Sequence, residues 1–566
     1  MKVHGPLRVD SIPGRNLTTA YVCPVCGRPL APEIRPLLVQ IDASTVRRLK
    51  GNNPGWQPSA GACPECVRLA AAAVRLQRSR TSIQDELMLP YPVYSQDETE
   101  LLPAYKLVDA SSGYSGAGVT MAFLDSGFYP HPDLTRPDNR ILCYVDATGA
   151  QPLEKDVFNK PHVTSWHGLM TSCVAAGNGF LSDQLYRGIA YQANLVLVRT
   201  GNPNGRGIRE ADIQRALAWV LDNYQRFNIR IVNISLGGDH PANGKLSTLD
   251  QMVEEAVNRG MIVVAAAGNE GVERLVPPAS APSAITVGGL DARNTYDQRL
   301  WRMYHSNYGQ AARAQFKPEI LAPAIWLAAP MLPHTRVHNE GMFLCRLDKT
   351  IGDLLRANGG SPGYRSDEPR SQLEALRRKL RKRMIEQKYI HPHYQHVDGT
   401  SMAAPVVSAV AALMLEANPG LSPAEVKQML MSTATPLEGF LAQQSGAGLV
   451  NAGRAVAAAR RAARGIWDAL PFSPHVQAEQ IHFYYFDPDN CAERVAVIGS
   501  FNGWDPRGYE MVSRSPGLWQ LSIPLLPPGS YAYKFLVDDH WVHDPENLNR
   551  VEDGYGGFSS ILEVRL

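Results

Sequence analysis

Between about residues 105 and 465 the chain alternates short apolar runs with longer stretches in which apolar residues recur every three or four positions. The runs VTMAFLD, NLVLVRT, IVNISLG, MIVVAAAG and AITVGG have the length and apolar content of buried strands. READIQRALAWVLDNY and STLDQMVEEAVNRG carry the period of helices. Strands alternating with helices predict an α/β fold, a parallel sheet with helices on both faces. After AARRAARGIWDALPFSPH the helical period is lost and strand and turn patterns run onward, which predicts an all-β domain of about 90 residues. Residues 1–80 follow neither pattern and end in the alanine- and arginine-rich CVRLAAAAVRLQRSR. The Pro- and Tyr-containing LMLPYPVYSQDETELLP then reads as a linker or an extended arm, residues 81–104.

At 566 residues the chain has room for roughly three or four domains. Lys plus Arg (56) nearly balances Asp plus Glu (54), so no nucleic-acid partner is expected. MKVHGPLRVDSIPGRN lacks an apolar core of the signal-peptide kind, and no stretch of about 18 uninterrupted apolar residues follows. The expectation is a cytoplasmic protein with no membrane association. Eight cysteines are few for a disulfide-built protein of this length. Cys23 with Cys26 and Cys63 with Cys66 form tight pairs, while Cys143, Cys173, Cys345 and Cys491 stand alone and read as buried thiols.

Candidate chemistry begins at DGTSMAAP, Asp398 to Pro405, where Ser401 is flanked by small residues and opens an apolar, alanine-rich run. Such a serine could simply cap a buried helix. Alternatively, a hydroxyl at a helix N-terminus sits beside unpaired N–H groups and the positive end of the dipole, where a developing oxyanion is stabilised. The chemical reading needs a base, an acid to orient it and a second donor. Asp125 ends the first strand, where open parallel sheets deliver functional groups. His167 opens SWHGLMTSCVAAGNG, and Asn269 closes MIVVAAAGNEG with an amide that could point into a cleft.

In order and wording, FLDSG with HPDL after it, HG at a helix start, NISLGG, AAAGNEG and GTSMAAP resemble the subtilisin-like serine peptidases over residues 105–465. The resemblance implies that Ser401 is the nucleophile, His167 the general base and then acid, and Asp125 the group orienting the imidazole. It implies an oxyanion hole formed by Asn269 and the Ser401 N–H, with a polypeptide substrate added as a strand along Ser235, Leu236, Gly237, Gly205 and Gly207. A pocket bounded by SLGG, AAAG, Val276 and Pro277 suggests a medium apolar side chain in the substrate. Calcium is frequent in the family, but no ligands are assignable here. Two features depart from the family. Leu169 and Met170 follow His167-Gly168 where Thr and His are usual, and an insertion of about residues 331–395 replaces a short connection. Within it, Leu373, Leu376, Leu380 and Met384 fall at helical spacing beside a dense basic face. A solvated helix packed on the body explains that pattern; docking of an acidic partner is the alternative.

The paired C-x2-C knuckles are the wording of a zinc-ribbon-like module, in which Cys23, Cys26, Cys63 and Cys66 would hold one structural zinc with no open position. Four reduced thiols are the other reading. At residues 478–566, VAVIGSFNGWDP, LPPGSYAYKFLVDDHWVHDP and GGFSSILEV resemble the glycogen-binding-type carbohydrate-binding module of the AMP-activated protein kinase β subunit, an immunoglobulin-like β-sandwich. The resemblance puts Trp504 and Trp541 at sugar-stacking positions and Lys534 at a polar contact, implying α-glucan binding, although serine (Ser559, Ser560) replaces the family's asparagine. The domain could equally dock a protein or act as a spacer. Leu89-Pro90-Tyr91 is similar to the Leu-Ile-Pro-Tyr arm with which intracellular subtilisins block their clefts. The expectation is thus an intracellular serine endopeptidase; the alternative is an inactive scaffold with zinc and α-glucan modules.

Overall fold

The computed structural model describes residues 21–23, 29–30, 49–50, 55 and 57, and most of 101–566. The exceptions in that last span are 111–112, 156–159, 163, 202–207, 239–245, 312–315, 358–367, 464–470, 488–489, 506, 508, 548, 554–556 and 565–566. Cys26, Cys63, Cys66, Gly205, Gly207 and the arm 86–94 therefore lie outside the described residues. The chain forms two compact units, Met1–Tyr91 and Pro92–Leu566. In the first, Tyr21–Val22 pairs antiparallel with Pro29–Leu30, and Cys23 is buried.

The second unit is built on a nine-stranded sheet. Its strands are β1 Thr120–Asp125, β2 Ile141–Asp146, β3 Leu153–Lys155, β4 Asn194–Arg199, β5 Ile229–Ile234, β6 Ile262–Ala266, β7 Ile285–Asp291, β8 Arg302–Met303 and β9 Ile320–Pro323. The order is β8-β7-β6-β5-β1-β4-β2-β3, with β9 also pairing β7. Strands β2, β4, β1, β5, β6 and β7 run parallel, as do β7 and β9; β3 and β8 are antiparallel edges.

Every residue of β1 is buried, and alternation along it feeds two cores. Met121 and Phe123 pack with helices α1 (Ser165–Ala176) and α6 (Thr400–Ala417) on one face. Ala122 and Leu124 pack with α2 (Glu210–Asn223) and α3 (Thr248–Asn258) on the other. The start of α3 is fixed by a capping box in which Ser247 and Asp250 each take the other's backbone N–H, at 3.0 Å. Helix α6 is long and apolar enough to span a membrane, but 83% of it is buried, so it is a core helix of this fold. Leu169 and Met170, the residues that depart from the family wording, lie on α1 and are buried in the core.

The insertion contains two helices, α4 (Arg336–Ala357) and α5 (Glu368–Gln387), followed by a small sheet of Leu327–Pro330, Tyr394–Val397 and Tyr389–His391. Leu380 and Met384 pack with Met331, Cys345, Ile351 and Tyr389, and Leu373 is partly covered. Leu376 is 47% exposed and leaves the stripe, because the face closing on α4 runs through 373, 380 and 384 while 376 sits on its flank. Of the lone cysteines, Cys173 and Cys345 are buried, but Cys143 is half-buried on a sheet strand near the edge and Cys491 is exposed in a loop.

Beyond α7 (Pro423–Thr433) and α8 (Ala452–Ala463), two antiparallel sheets stack face to face. One contains Gln480–Phe486 and Leu518–Pro524, the other Val495–Gly499, Gly529–Val537 and Phe558–Val564. Ile481, Phe483, Val495, Val497, Tyr533 and Phe535 fill the space between them, the alternation expected of a sandwich. The junction with the peptidase body is polar and buried. Arg461 of α8 pairs with Glu546 at 2.7 Å, both almost fully buried, and Asp109, ahead of the sheet, pairs with Arg550 and lies 3.6 Å from His543.

Candidate active site

From β1 the chain moves one way, to β2 and β4, and then crosses to β5 on the other side of β1. The strand order therefore reverses between β1 and β5, and crevices at such switch points lie outside the C-terminal strand ends. Asp125 terminates β1 there and Ser235 follows β5 there, with Asn269 just beyond the neighbouring β6.

Asp125 is fully buried yet well satisfied. Its Oδ1 accepts from His167 Nδ1 at 2.7 Å and from the Ser126 N–H at 2.6 Å, and its Oδ2 accepts from the Thr171 hydroxyl at 2.9 Å. Thr171 lies four residues beyond His167, on the same face of α1. The helix comes this close because residue 168 is glycine: a Cβ there would sit 2.1 Å from the Gly127 carbonyl oxygen. Burial pushes the His167 pKa down, but the charge and hydrogen bond of Asp125 outweigh it and hold the imidazole above its ordinary value. Trp166, 48% exposed, presents its ring edge-on to His167 at 5.3 Å between centroids.

Ser401 is the second residue of α6. Gly399, the N-cap, has φ of +134°, a conformation side chains rarely adopt, and this turns the chain from Asp398 into the helix. Pro405 lies inside α6 and has no N–H for the carbonyl of Ser401, four residues back. The Ser235 hydroxyl supplies the missing donor at 2.9 Å, and itself accepts from the side-chain amide of buried Asn233 at 3.0 Å. Asn233 also accepts from Ser408 of α6 at 2.9 Å, so NIS of the NISLGG run is a clamp on the serine helix. The Ser401 hydroxyl donates to the Ser235 carbonyl at 3.3 Å, and among the described residues no hydrogen bond joins it to His167. Such bonds are often formed only when substrate enters.

Asn269 is oriented by the residue before the serine. Its Oδ1 accepts from the Thr400 N–H at 2.8 Å and the Thr400 hydroxyl at 3.0 Å, while that hydroxyl accepts from the Gly268 N–H at 3.1 Å. With the amide oxygen engaged twice by donors, the NH2 group is the end available to an acceptor.

The structure thus brings Asp125, His167, Ser401 and Asn269 to one strand-end crevice. Ser235 is buried, so its side chain holds α6 and only its backbone can face a ligand; Leu236 is half-buried and Gly237 exposed. A Cβ on Gly237 would sit 2.9 Å from Val276, and the Gly238 N–H donates to the Pro277 carbonyl at 2.6 Å, so SLGG and Val276-Pro277 adjoin as expected. Thr171, Thr400 and Asn233 were missed in the sequence. The i, i+4 spacing from His167 and the residue before Ser401 were the available signals for the first two.

In the sandwich, Trp504 and Trp541 are 38% and 50% exposed, with ring centroids 6.2 Å apart and planes inclined at 56°. Lys534, on the strand that pairs with that of Trp541, is held by Asp553 at 2.5 Å. Ser560 is buried and accepts the Asp544 N–H at 2.8 Å, so it supports the interior.

A parallel sheet that carries an aspartate-bound histidine and a helix-borne serine to one crevice defines a serine hydrolase of the subtilisin-like fold. The Subtilase family matches residues 116–451, more than half of the chain, so the chain belongs to that family and is a subtilisin-like serine endopeptidase. It is 30% identical over 368 residues to serine protease AprX of Bacillus subtilis, covering 63% of this chain and 70% of that protein. It is 27% identical over 341 residues to subtilisin BL of Lederbergia lenta, covering 60% and 91%. Among solved structures, fervidolysin of Fervidobacterium pennivorans is matched at 18% identity and a TM-score of 0.44, over 76% of this chain and 55% of that one. Residues 485–566 match the family described as the glycogen recognition site of AMP-activated protein kinase, so the C-terminal sandwich is a carbohydrate-binding module of that type.

Proposed function

We propose that this chain is an intracellular endopeptidase that cleaves polypeptides through Ser401, His167 and Asp125. The observation that carries the reading is the 2.7 Å bond from His167 to buried Asp125, at the strand end that faces the start of the Ser401 helix. Asp125 and Thr171 hold the imidazole so that its other nitrogen takes the Ser401 proton as the hydroxyl attacks the peptide carbonyl; the same proton then goes to the leaving amine. The carbonyl oxygen gains charge where the Asn269 NH2, the Ser401 N–H and the α6 dipole converge. Substrate pairs as an added strand along Leu236-Gly237, with Gly205 and Gly207 as further substrate-binding residues, and sequence selectivity comes from the pocket walled by Val276 and Pro277. A reducing compartment is supported by the thiols of Cys143, Cys173 and Cys345. Cys23, Cys26, Cys63 and Cys66 hold a structural zinc.

The tryptophan pair, exposed and inclined as two walls, stacks on glucose rings and brings the peptidase to α-glucan or glycan-associated proteins. A serine-directed fluorophosphonate tests the core of this reading, because it labels only an activated serine and requires no known substrate. Wild type is expected to be labelled and Ser401→Ala not; equal labelling of both would refute the assigned nucleophile.

A further inference from the structure

The insertion ahead of the serine helix concentrates positive charge. Residues 336–388 hold thirteen Lys and Arg against seven Asp and Glu, an excess of six, whereas the whole chain has an excess of two. The remaining residues are therefore net acidic, and the basic insertion is a local feature of this molecule. The excess gathers on one side of α5. Its apolar stripe, Leu373, Leu380 and Met384, closes on α4, and Arg370, Glu374, Arg377, Arg378 and Arg381 follow at helical spacing beside it. Together with Arg356, near the end of α4, these five residues line a groove of about 540 Å³. Five guanidiniums meet there, with Glu374 as their acidic neighbour.

Two of the five are fixed in place. Asp348 of α4, only 7% exposed, accepts from Arg377 Nε and Nη2 at 3.0 and 3.2 Å and from Arg381 Nε at 2.9 Å. One carboxylate cancels one of the two charges, so the pair stays cationic while its planes are oriented. Gly352, a turn further along α4, makes room for it: a Cβ there would lie 2.9 Å from Arg377 Nη2. The outer arginines are held loosely. Arg370 with Glu374 and Arg356 with Asp353 are pairs whose side chains are 43 to 58% exposed, and such pairs contribute little and yield to a ligand that brings more negative charge. Like charges a turn apart, as at 377 and 381, weaken a helix, so an anion in the groove stabilises α5.

We propose that this groove docks an acidic, Asp- and Glu-rich segment of a polypeptide substrate whose cleavage takes place in the crevice; the proposal rests on the peptidase reading of that crevice. From Arg370 to Arg381 the helix runs about 16 Å, the length of about five residues of extended chain. A run of carboxylates fits that length better than one small anion does. Among the described residues the cations lining the groove are all arginine, whose planar fork takes a carboxylate through two parallel hydrogen bonds. The substrate of an endopeptidase is itself polypeptide, which makes the occupant a peptide rather than a nucleic acid. The insertion returns through Tyr394–Val397 to Asp398, three residues before Ser401, and Lys388, directly after α5, pairs with Asp398. The groove is thus tied to the start of the serine helix, and a substrate held in it stays tethered to the molecule that cuts it, at a raised effective concentration.

The test uses the full chain carrying Ser401→Ala, so that binding is read without cleavage. A fluorescent peptide bearing a glutamate tract is expected to bind, and the same peptide with glutamines is not. Arg370→Ala with Arg378→Ala, which leaves the ties to Asp348 intact, should weaken binding by about tenfold. Removing two arginines that are each 89% exposed elsewhere, by Arg299→Ala with Arg507→Ala, should leave it unchanged. In the active chain, a protein substrate with the glutamate tract should show a KM about tenfold below that of its glutamine counterpart at equal kcat. The Arg370, Arg378 double variant should erase that difference while cutting a short neutral peptide as wild type does. Absence of binding, an equal loss in the Arg299, Arg507 control, tighter binding of single-stranded DNA of the same charge, or a KM difference that survives the groove variant would each overturn the proposal. Were Ser401 not the nucleophile, the Ser401→Ala chain would still cut the peptide, a failure seen separately from a failure to bind.

Discussion

The crevice at the strand ends and the aromatic face of the sandwich are held in opposite ways. In the crevice the orienting polar atoms are held by hydrogen bonds: Asp125 by His167, Ser126 and Thr171, the Asn269 oxygen by Thr400, the Ser401 carbonyl by Ser235. On the sandwich, Trp504 and Trp541 are 38% and 50% exposed and contact each other, with ring centroids 6.2 Å apart. Acyl transfer tolerates misplacement of only a fraction of an ångström, since the reacting atoms must be aligned when charge develops. A sugar polymer is gripped by area, and two rings can adjust to it. Changes in the crevice should therefore be severe and overlapping, and changes on the face mild and independent.

The largest effect expected is from Ser401→Ala, which should lower peptide hydrolysis by at least about ten-thousandfold. Adding His167→Ala should cost little more, because the two act as a unit. Steady-state assays of the single and double variants check this, and fully multiplicative losses would break the comparison. Next, Asn269→Ala should reduce kcat by about a hundredfold with KM nearly unchanged, since its amide is used mainly when the oxyanion forms. A rise in KM alone would make Asn269 a binding residue. On the sandwich, Trp504→Ala and Trp541→Ala should each weaken retention on glycogen by about tenfold, the double variant by roughly the product, with hydrolysis of a short peptide unchanged. Unaltered retention would assign the face to protein docking instead.

The smallest effect sharpens the contrast. Only neutral His167 can accept the serine proton, and Asp125 raises its pKa, so the acidic limb of kcat/KM should lie at higher pH than that of a free imidazole. Activity is lost as pH falls through the raised value. Retention on glycogen, resting on stacking, should stay level over the same range.

The same difference governs what could be read from the chain. The strands were legible because their apolar runs are nearly uninterrupted, and α2 and α3 because their periods are clean and Ser247 caps one of them. Asp125, His167, Ser401 and Asn269 were legible because short distinctive wording surrounds each. Helix α4 was not, since its apolar residues answer mainly to α5 and the small sheet beside it, a partnership absent from local pattern. Leu376 was placed inside for the same reason. Thr400 and Asn233 escaped because their work is to orient neighbours: a threonine or asparagine with such a role looks like any other until the third dimension shows whose carbonyl or amide it holds.

The junction sealed by Arg461 with Glu546 and by Asp109 with Arg550 bears on how this chain can change over generations. A recombination event that exchanged the sandwich for another would strand a buried guanidinium in the peptidase body and a carboxylate at residue 109 without their counterparts. The two domains are thus bound to be inherited as a pair, and substitutions at 461 and 546, or at 109 and 550, should accumulate in step. A relative that has lost the sandwich should carry an uncharged residue in place of each.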